Sequence, residues 1–247
     1  VLFLNNYERW IIQSLCEGRE DQATRYAKMY LQSCKTQKDQ VFCQQMLERL
    51  EQKEQFNIPA NLQDILMVSM PDEYRVNRFF LRERDKSLID GALKTYQAAK
   101  TLEEAGISYV PTVLLHGTSG CGKTELARYI AYKVGLPFVY VRFSGLINSL
   151  LGKTAQNLNL IFQFVRKLPC VLCFDEMDAI GIARGTQAEM GELGRIVISM
   201  MQELDNMPNS NIIIGTTNRF DQLDAALVRR FNFIEEVLPM SQKECLT

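Results

Sequence analysis

Residues 117–124 read Gly-Thr-Ser-Gly-Cys-Gly-Lys-Thr and match G-x-x-x-x-G-K-[ST] at every fixed position. The run follows apolar Val113-Leu114-Leu115 and opens a helical pattern, Glu125-Leu126-Ala127-Arg128-Tyr129-Ile130-Ala131. A strand, a glycine-rich loop and a helix in that order limit the fold more than any other feature of the chain. Glycines 117, 120 and 122 let backbone N–H groups turn inward around phosphate oxygens, and the helix N-terminus adds partial positive charge. Lys123 is placed to reach β- and γ-phosphates, and the Thr124 hydroxyl is a hard ligand suited to Mg²⁺. Gly117, Thr118, Ser119, Gly120, Cys121, Gly122, Lys123 and Thr124 together form the candidate ATP-binding loop. Cys121 has small polar neighbours in sequence, so a thiol partly open to solvent is expected there.

From residue 112 onward, apolar runs alternate with helical patterns. Strands are expected over 112–116, 138–143, 170–175, 211–216 and 232–237. Helices are expected over 123–134, 155–167, 189–205 and 221–230. Gly135 and Pro137 stop the first of these, and Leu193, Ile196, Val197, Met200, Met201 and Leu204 form one stripe on the third. Strands this apolar, separated by helices, predict an α/β fold with a parallel sheet covered on both faces.

A second half-site follows. Cys170-Val-Leu-Cys-Phe-Asp175-Glu176 is an apolar strand ending in two carboxylates, the Walker B pattern. Asp175 suits the Mg²⁺ shell, and Glu176 suits polarising a water for in-line attack on a γ-phosphate. Ile212-Ile213-Ile214-Gly215-Thr216-Thr217-Asn218 is a buried strand with an amide at its tip. Asn218 there can bond both the attacking water and a γ-phosphate oxygen. Two arginines, Arg229 and Arg230, close the segment Leu223–Phe231. They complement a helix dipole in one reading. In the other, one of them is an arginine finger that neutralises charge on a neighbouring subunit's γ-phosphate.

Residues 1–56 read as a separate helical unit. Tyr7, Trp10, Ile11 and Leu15 fall on one face, Ala23, Tyr26, Ala27, Tyr30 and Leu31 on another, and Cys43, Met46, Leu47 and Leu50 on a third. Residues 57–74, with Pro59 and Pro71 and little periodicity, read as a linker, and 75–247 as the nucleotide-binding unit. Arg75, Arg78, Arg82, Arg84 and Lys86 cluster with Phe79 and Phe80. Glu83 and Asp85 dilute that charge, which favours a packed segment over a nucleic-acid surface.

Lys and Arg number 28 against 29 Asp and Glu, so no net field attracts nucleic acid or an acidic membrane. No apolar run reaches the ~18 residues of a membrane span. An odd count of seven cysteines, several in apolar runs, suits reduced thiols and a cytoplasmic location. No targeting leader is visible. Cys170-Val-Leu-Cys173 lies within a strand pattern and reads as packing.

Residues 75 to 240 resemble the AAA family, the ATPases associated with various cellular activities. The resemblance rests on Gly117–Thr124, on Phe174-Asp175-Glu176-Met177-Asp178-Ala179-Ile180, on Gly215-Thr216-Thr217-Asn218-Arg219 and on Leu223–Phe231. It implies a P-loop NTPase sheet of five parallel strands in the order 5-1-4-3-2. It also implies a C-terminal helical lid that would begin where this chain stops, and hexameric rings that use ATP to remodel or thread proteins, with the N-terminal helices choosing the substrate or adaptor. Three departures are visible. Leu150 stands where a pore-loop aromatic is usual in Asn148-Ser149-Leu150-Leu151-Gly152-Lys153, the arginine segment is shortened to Arg229-Arg230-Phe231, and the lid is missing. The alternatives are a nucleic-acid loader or initiator of the same family, and an ATP-gated scaffold with little turnover.

Overall fold

A computed structural model describes residues 4–33, 40–55, 58–76, 79–143, 146, 154–180, 187–241 and 244. The chain forms two compact units, Val1–Asn57 and Ile58–Thr247.

Among its described residues the first unit has three helices: α1 (Asn6–Cys16), α2 (Glu20–Ser33) and α3 (Gln40–Gln55). Asn5 starts α1 with a capping box. Its side chain accepts from the Glu8 N–H at 2.8 Å, and its own N–H reaches the Glu8 carboxylate at 2.9 Å. Tyr7 and Trp10 on α1 meet Tyr30 and Tyr26 on α2 at ring separations of 6.2 and 5.4 Å. The aromatic stripes expected from the sequence therefore pack helix to helix. Leu15, on the same α1 stripe, stays exposed.

The second unit is a six-stranded sheet. Its strands are β1 (Leu66–Ser69), β2 (Thr112–His116), β3 (Phe138–Arg142), β4 (Val171–Asp175), β5 (Ile212–Thr217) and β6 (Phe233–Glu236), in the order β1-β3-β4-β5-β2-β6. The five strands from β2 onward are parallel and lie in the anticipated 5-1-4-3-2 order. The sheet has one strand more than expected. β1 lies within 57–74, where a structureless connection was anticipated, and pairs antiparallel with β3 through Leu66↔Val141 to Ser69↔Phe138. Four residues are too few to show a clear period. Only Leu66 is fully buried, while Met67 points to solvent at the sheet edge.

Among the described residues the helices flanking the sheet include α4 (Glu83–Glu104), α5 (Lys123–Val134), α6 (Thr154–Val165) and α7 (Gln187–Asp205). Ile89, Ala92 and Tyr96 of α4 and Leu126, Tyr129 and Ile130 of α5 pack on Val113, Leu115, Cys173 and Ile214. Residues alternate along a strand, so Leu114, Leu172, Phe174 and Ile213 bury into the opposite layer. There Phe162 of α6 meets Phe174 at 5.5 Å. Each such fully buried side chain is worth about 1.5–3 kcal/mol. Gly106 ends α4 at φ +73: its N–H bonds Glu103 O, and the Ile107 N–H bonds Leu102 O, satisfying two terminal carbonyls. The helix expected over 221–230 is shorter, a 3₁₀ turn at Phe220–Gln222 followed by the single turn α8 (Ala225–Val228). Asp224 caps α8 through the Ala226 and Leu227 N–H groups and breaks the longer helix.

Part of the basic–aromatic cluster packs, while Arg75, Phe80 and Lys86 are exposed and Arg78 lies outside the described residues. Phe79 stacks on Tyr129 at 4.8 Å. Arg82 is 5% exposed, pairs with Asp85 and donates to Leu238 O. Arg84 donates to Pro239 O and to Glu244. These arginines tie the start of α4 to the segment after β6, and Arg82 is thereby removed from any nucleic-acid surface.

Candidate nucleotide site

β2 ends at His116, and the loop to α5 turns on three glycines with positive φ: +146° at Gly117, +80° at Gly120 and +94° at Gly122. At Gly117 a second constraint applies, because a Cβ would lie 2.3 Å from Val237 O. The Val237 N–H in turn bonds His116 O at 2.7 Å, so the chain after β6 presses directly on the loop entrance. Thr118, Ser119 and Gly120 are exposed at the loop crest. Lys123 opens α5 and is buried. Its ammonium donates to Gly117 O at 2.9 Å, Thr118 O at 2.8 Å and Asn218 Oδ1 at 2.8 Å, which uses all three of its hydrogens.

The strand tips converge on this loop. Thr124 Oγ1 donates to Asp175 Oδ1 at 3.0 Å. Thr216, on β5 beside β4, donates to the same oxygen and accepts from the Glu176 N–H at 3.3 Å. Tyr140 of β3 donates to Asp175 Oδ2 at 2.8 Å. Burial is the main reason the Tyr140 pKa is raised, and Asp175 adds to it against Arg142, so the hydroxyl remains a donor. Glu176 is exposed and adopts φ +59°, a left-handed conformation unusual for a residue with a Cβ. Asp178 Oδ1 accepts from Thr217 Oγ1 and from the Asn218 N–H, both at 3.1 Å, and so ties the turn after β4 to the tip of β5.

The phosphate loop, Asp175, Glu176 and Asn218 thus lie together. Arg229 and Arg230 do not join them. Thr112 Oγ1 donates to Arg230 O at 2.7 Å, at the end of β2 away from Gly117. Five strand residues separate those ends, about 13 Å at a strand's rise. The Arg230 guanidinium donates to Ala226 O at 3.2 Å and faces Asp205 at 3.5 Å. The Arg229 guanidinium is exposed and makes no hydrogen bond or ion pair with the described residues.

Cys121 departs from expectation. Its thiol is only 8% exposed, packs in the core cluster with Val237, and receives a 3.6 Å contact from Lys123 Nζ. The loop folds this side chain inward, which its polar sequence neighbours did not reveal. Cys170, just before β4, and Cys173 within it are fully buried, as their apolar run suggested, and burial pushes the Cys170 pKa up to about 12. The pore-loop stretch Asn148–Lys153 lies outside the described residues.

The donors fit a hard divalent cation. The Thr124 hydroxyl and the Asp175 carboxylate face each other, and the remaining ligands would come from phosphate oxygens and water, the usual arrangement for Mg²⁺. Among the described residues no cluster of three His, Cys, Asp or Glu offers an all-protein metal site. Tyr140, Thr216 and Asp178 carry no role in the sequence reading. Thr216 and Asp178 fall inside quoted motifs, where their polarity at strand tips was the available signal. Tyr140 sits in an apolar run and gave none.

Residues 113–238 match the model of the "ATPase family associated with various cellular activities (AAA)". The AAA family ATPase y4kL of Sinorhizobium fredii is 38% identical over 172 residues, which is 70% of this chain and 51% of that protein. The peroxisomal ATPase PEX6 of Dictyostelium discoideum is 41% identical over 129 residues, 51% of this chain and 11% of that protein. The proteasome-activating nucleotidase of Pyrococcus furiosus is 38% identical over 142 residues, 55% of this chain and 36% of that protein. The chain therefore spans about half the length of the first of these relatives and less of the other two. With the loop, the paired carboxylates and the β5 amide gathered at the C-terminal ends of the strands, and with the family match covering that whole region, the chain belongs to the AAA family.

Proposed function

We propose that this module hydrolyses ATP with Mg²⁺ and works in a ring of six copies that remodels or unfolds proteins. The observation carrying the reading is the meeting of three motifs: Thr124 on Asp175 at 3.0 Å, and Lys123 on Asn218 at 2.8 Å. Lys123 and the loop N–H groups bind the β- and γ-phosphates. Thr124 and Asp175 hold the cation, which neutralises charge that develops during transfer. Glu176 positions the water, and Asn218 holds it against the γ-phosphate.

Arg229 is the finger offered to a neighbouring copy, because its guanidinium is uncommitted whereas Arg230 is held by its own chain. The names of the relatives support protein remodelling: a peroxisomal ATPase and a proteasome-activating nucleotidase. The N-terminal helical region, residues 1–56, is the docking element for substrate or adaptor. Reduced thiols at Cys16, Cys121, Cys170 and Cys173 suit a cytoplasmic setting.

The test is phosphate release from Mg-ATP by the purified protein, with sedimentation of a Glu176→Gln form in ATP. Release together with a six-copy ring is expected. Tight ATP binding without release would favour the ATP-gated scaffold instead.

A further inference from the structure

The Asp175 carboxylate is held by donors from three elements, each on a defined oxygen. Oδ1 accepts from Thr124 of α5 and Thr216 of β5, and Oδ2 accepts from Tyr140 of β3 at 2.8 Å. The tyrosine is itself fixed. It is 8% exposed, its ring lies 6.4 Å from that of Phe138 two residues earlier, and the Arg128 guanidinium sits over both rings at 4.9 and 5.7 Å. Packing alone would be served as well by phenylalanine. The hydroxyl is the atom that packing does not explain: it donates to Asp175 Oδ2 and also meets the exposed Arg142 guanidinium, which cannot accept its hydrogen.

We propose that Tyr140 is a positioning residue for the metal-bearing carboxylate: its hydroxyl fixes the plane of Asp175 so that Oδ1 stays on the Thr124 side, ready for the cation of Mg-ATP. The inference rests on the ATPase reading of the site. A carboxylate free to turn about its Cβ–Cγ bond must be ordered each time the cation arrives. One restrained by Tyr140 has met that cost during folding. Loss of such an outer partner typically weakens metal binding by about 10- to 100-fold.

The experiment compares the 247-residue chain with its Tyr140→Phe form, which keeps the ring beneath Arg128. A fluorescent ATP analogue is bound first in EDTA, and Mg²⁺ is then titrated in. Nucleotide affinity in EDTA and the thermal midpoint should be unchanged, while the half-saturating Mg²⁺ concentration rises about 10-fold. Coincident Mg²⁺ curves would overturn the proposal. So would a curve shifted to lower Mg²⁺, which would mean that the hydroxyl competes with the cation for Oδ2. A fall in EDTA affinity or in thermal midpoint would make the role structural and also overturn it. Asp175→Asn serves as reference and should abolish the Mg²⁺ response. If the wild-type chain itself shows no Mg²⁺ response, the ATPase reading fails with it.

Discussion

Lys123 and Asn218 lie 95 residues apart in sequence, and the ammonium of one donates to the amide oxygen of the other at 2.8 Å. That bond couples the phosphate loop to the tip of β5. Asp178 fixes the Asn218 backbone from the Walker B turn, so three motifs share one network. With Oδ1 committed to Lys123, the Asn218 amide N–H₂ is left to face phosphate and water.

The charge at position 218 should therefore matter more than the hydrogen bond. Asn218→Ala should keep most ATP affinity while hydrolysis falls about 10- to 100-fold, because a preorganised donor is lost. Asn218→Asp should also weaken binding, since a carboxylate would hold the Lys123 ammonium and repel phosphate. Calorimetric ATP titrations of the two variants check this. Equal affinities would mean that Asn218 does not contact Lys123 when nucleotide is bound.

Glu176 stands exposed on a left-handed turn directly after Asp175, its backbone N–H bonded to Thr216 Oγ1 at 3.3 Å. Glu176→Gln preserves shape and removes the base. ATP binding should persist and phosphate release should fall by ~100-fold or more. A wild-type rate in single-turnover assays would assign the water to another residue. Lys123→Ala, by contrast, should show its loss in affinity.

Legibility in the sequence followed chain locality. The loop and the two carboxylates are contiguous motifs whose spacing states their chemistry, and five apolar strands alternating with helices state the sheet. β1 was hidden because an edge strand of four residues buries one side chain fully, too few to make a pattern. The inward turn of Cys121 depends on Val237, more than a hundred residues away, and the hydroxyl of Tyr140 has meaning only once β3 lies beside β4. The arginine pair was ambiguous in sequence for a similar reason, since Asp205, which faces Arg230, lies in another helix.

The two arginines should separate on mutation. Arg229→Ala should leave ATP affinity nearly intact and lower hydrolysis of the assembled protein by ~10³-fold or more, the scale of a lost arginine finger. Arg230→Ala breaks contacts with Ala226 and Asp205 and should act mainly on stability, by up to about 1 kcal/mol for a pair this exposed. Mixing Arg229→Ala subunits with Glu176→Gln subunits should restore part of the activity, because the defects fall at different interfaces. No recovery in a mixed ring would remove Arg229 from the finger role.

Gly215 lies in the middle of β5 with Met177 Sδ, Phe231 Cζ and Leu114 Cδ1 at 2.5, 3.0 and 3.1 Å from where a Cβ would stand. Gly215→Ala should destabilise by about 1–3 kcal/mol through overpacking. Met177 directly follows Glu176, so the displaced methionine should also disturb the base. Urea unfolding and phosphate release would be measured together. A stable but slow variant, or one lowered in both, fits the geometry, whereas wild-type behaviour in both would show that the contact relaxes freely.

The buried thiols Cys170 and Cys173 contribute to the alkaline behaviour from about pH 9, below the range where the raised tyrosines Tyr74 and Tyr140 add to it. Cys170 would ionise near 9.0 in the unfolded chain, but burial pushes it up to about 12 in the native one, and Cys173 is raised well above 9.0 for the same reason. An acid group whose native pKa is raised holds its proton longer in the fold. Its contribution is therefore complete below about pH 9 and is lost as pH climbs towards 12, at ~1.4 kcal/mol per pH unit for each thiol. Stability from urea midpoints should fall steeply between pH 9 and 11. A variant carrying Cys170→Ala and Cys173→Ala should be less stable at pH 7, because two packed sulfurs are gone, yet should show a shallower alkaline slope. An unchanged slope would place the alkaline transition on other groups. Thiol labelling offers a second check: among the described cysteines, exposed Cys16 should react with a maleimide first, Cys121 slowly, and Cys170 and Cys173 only on unfolding.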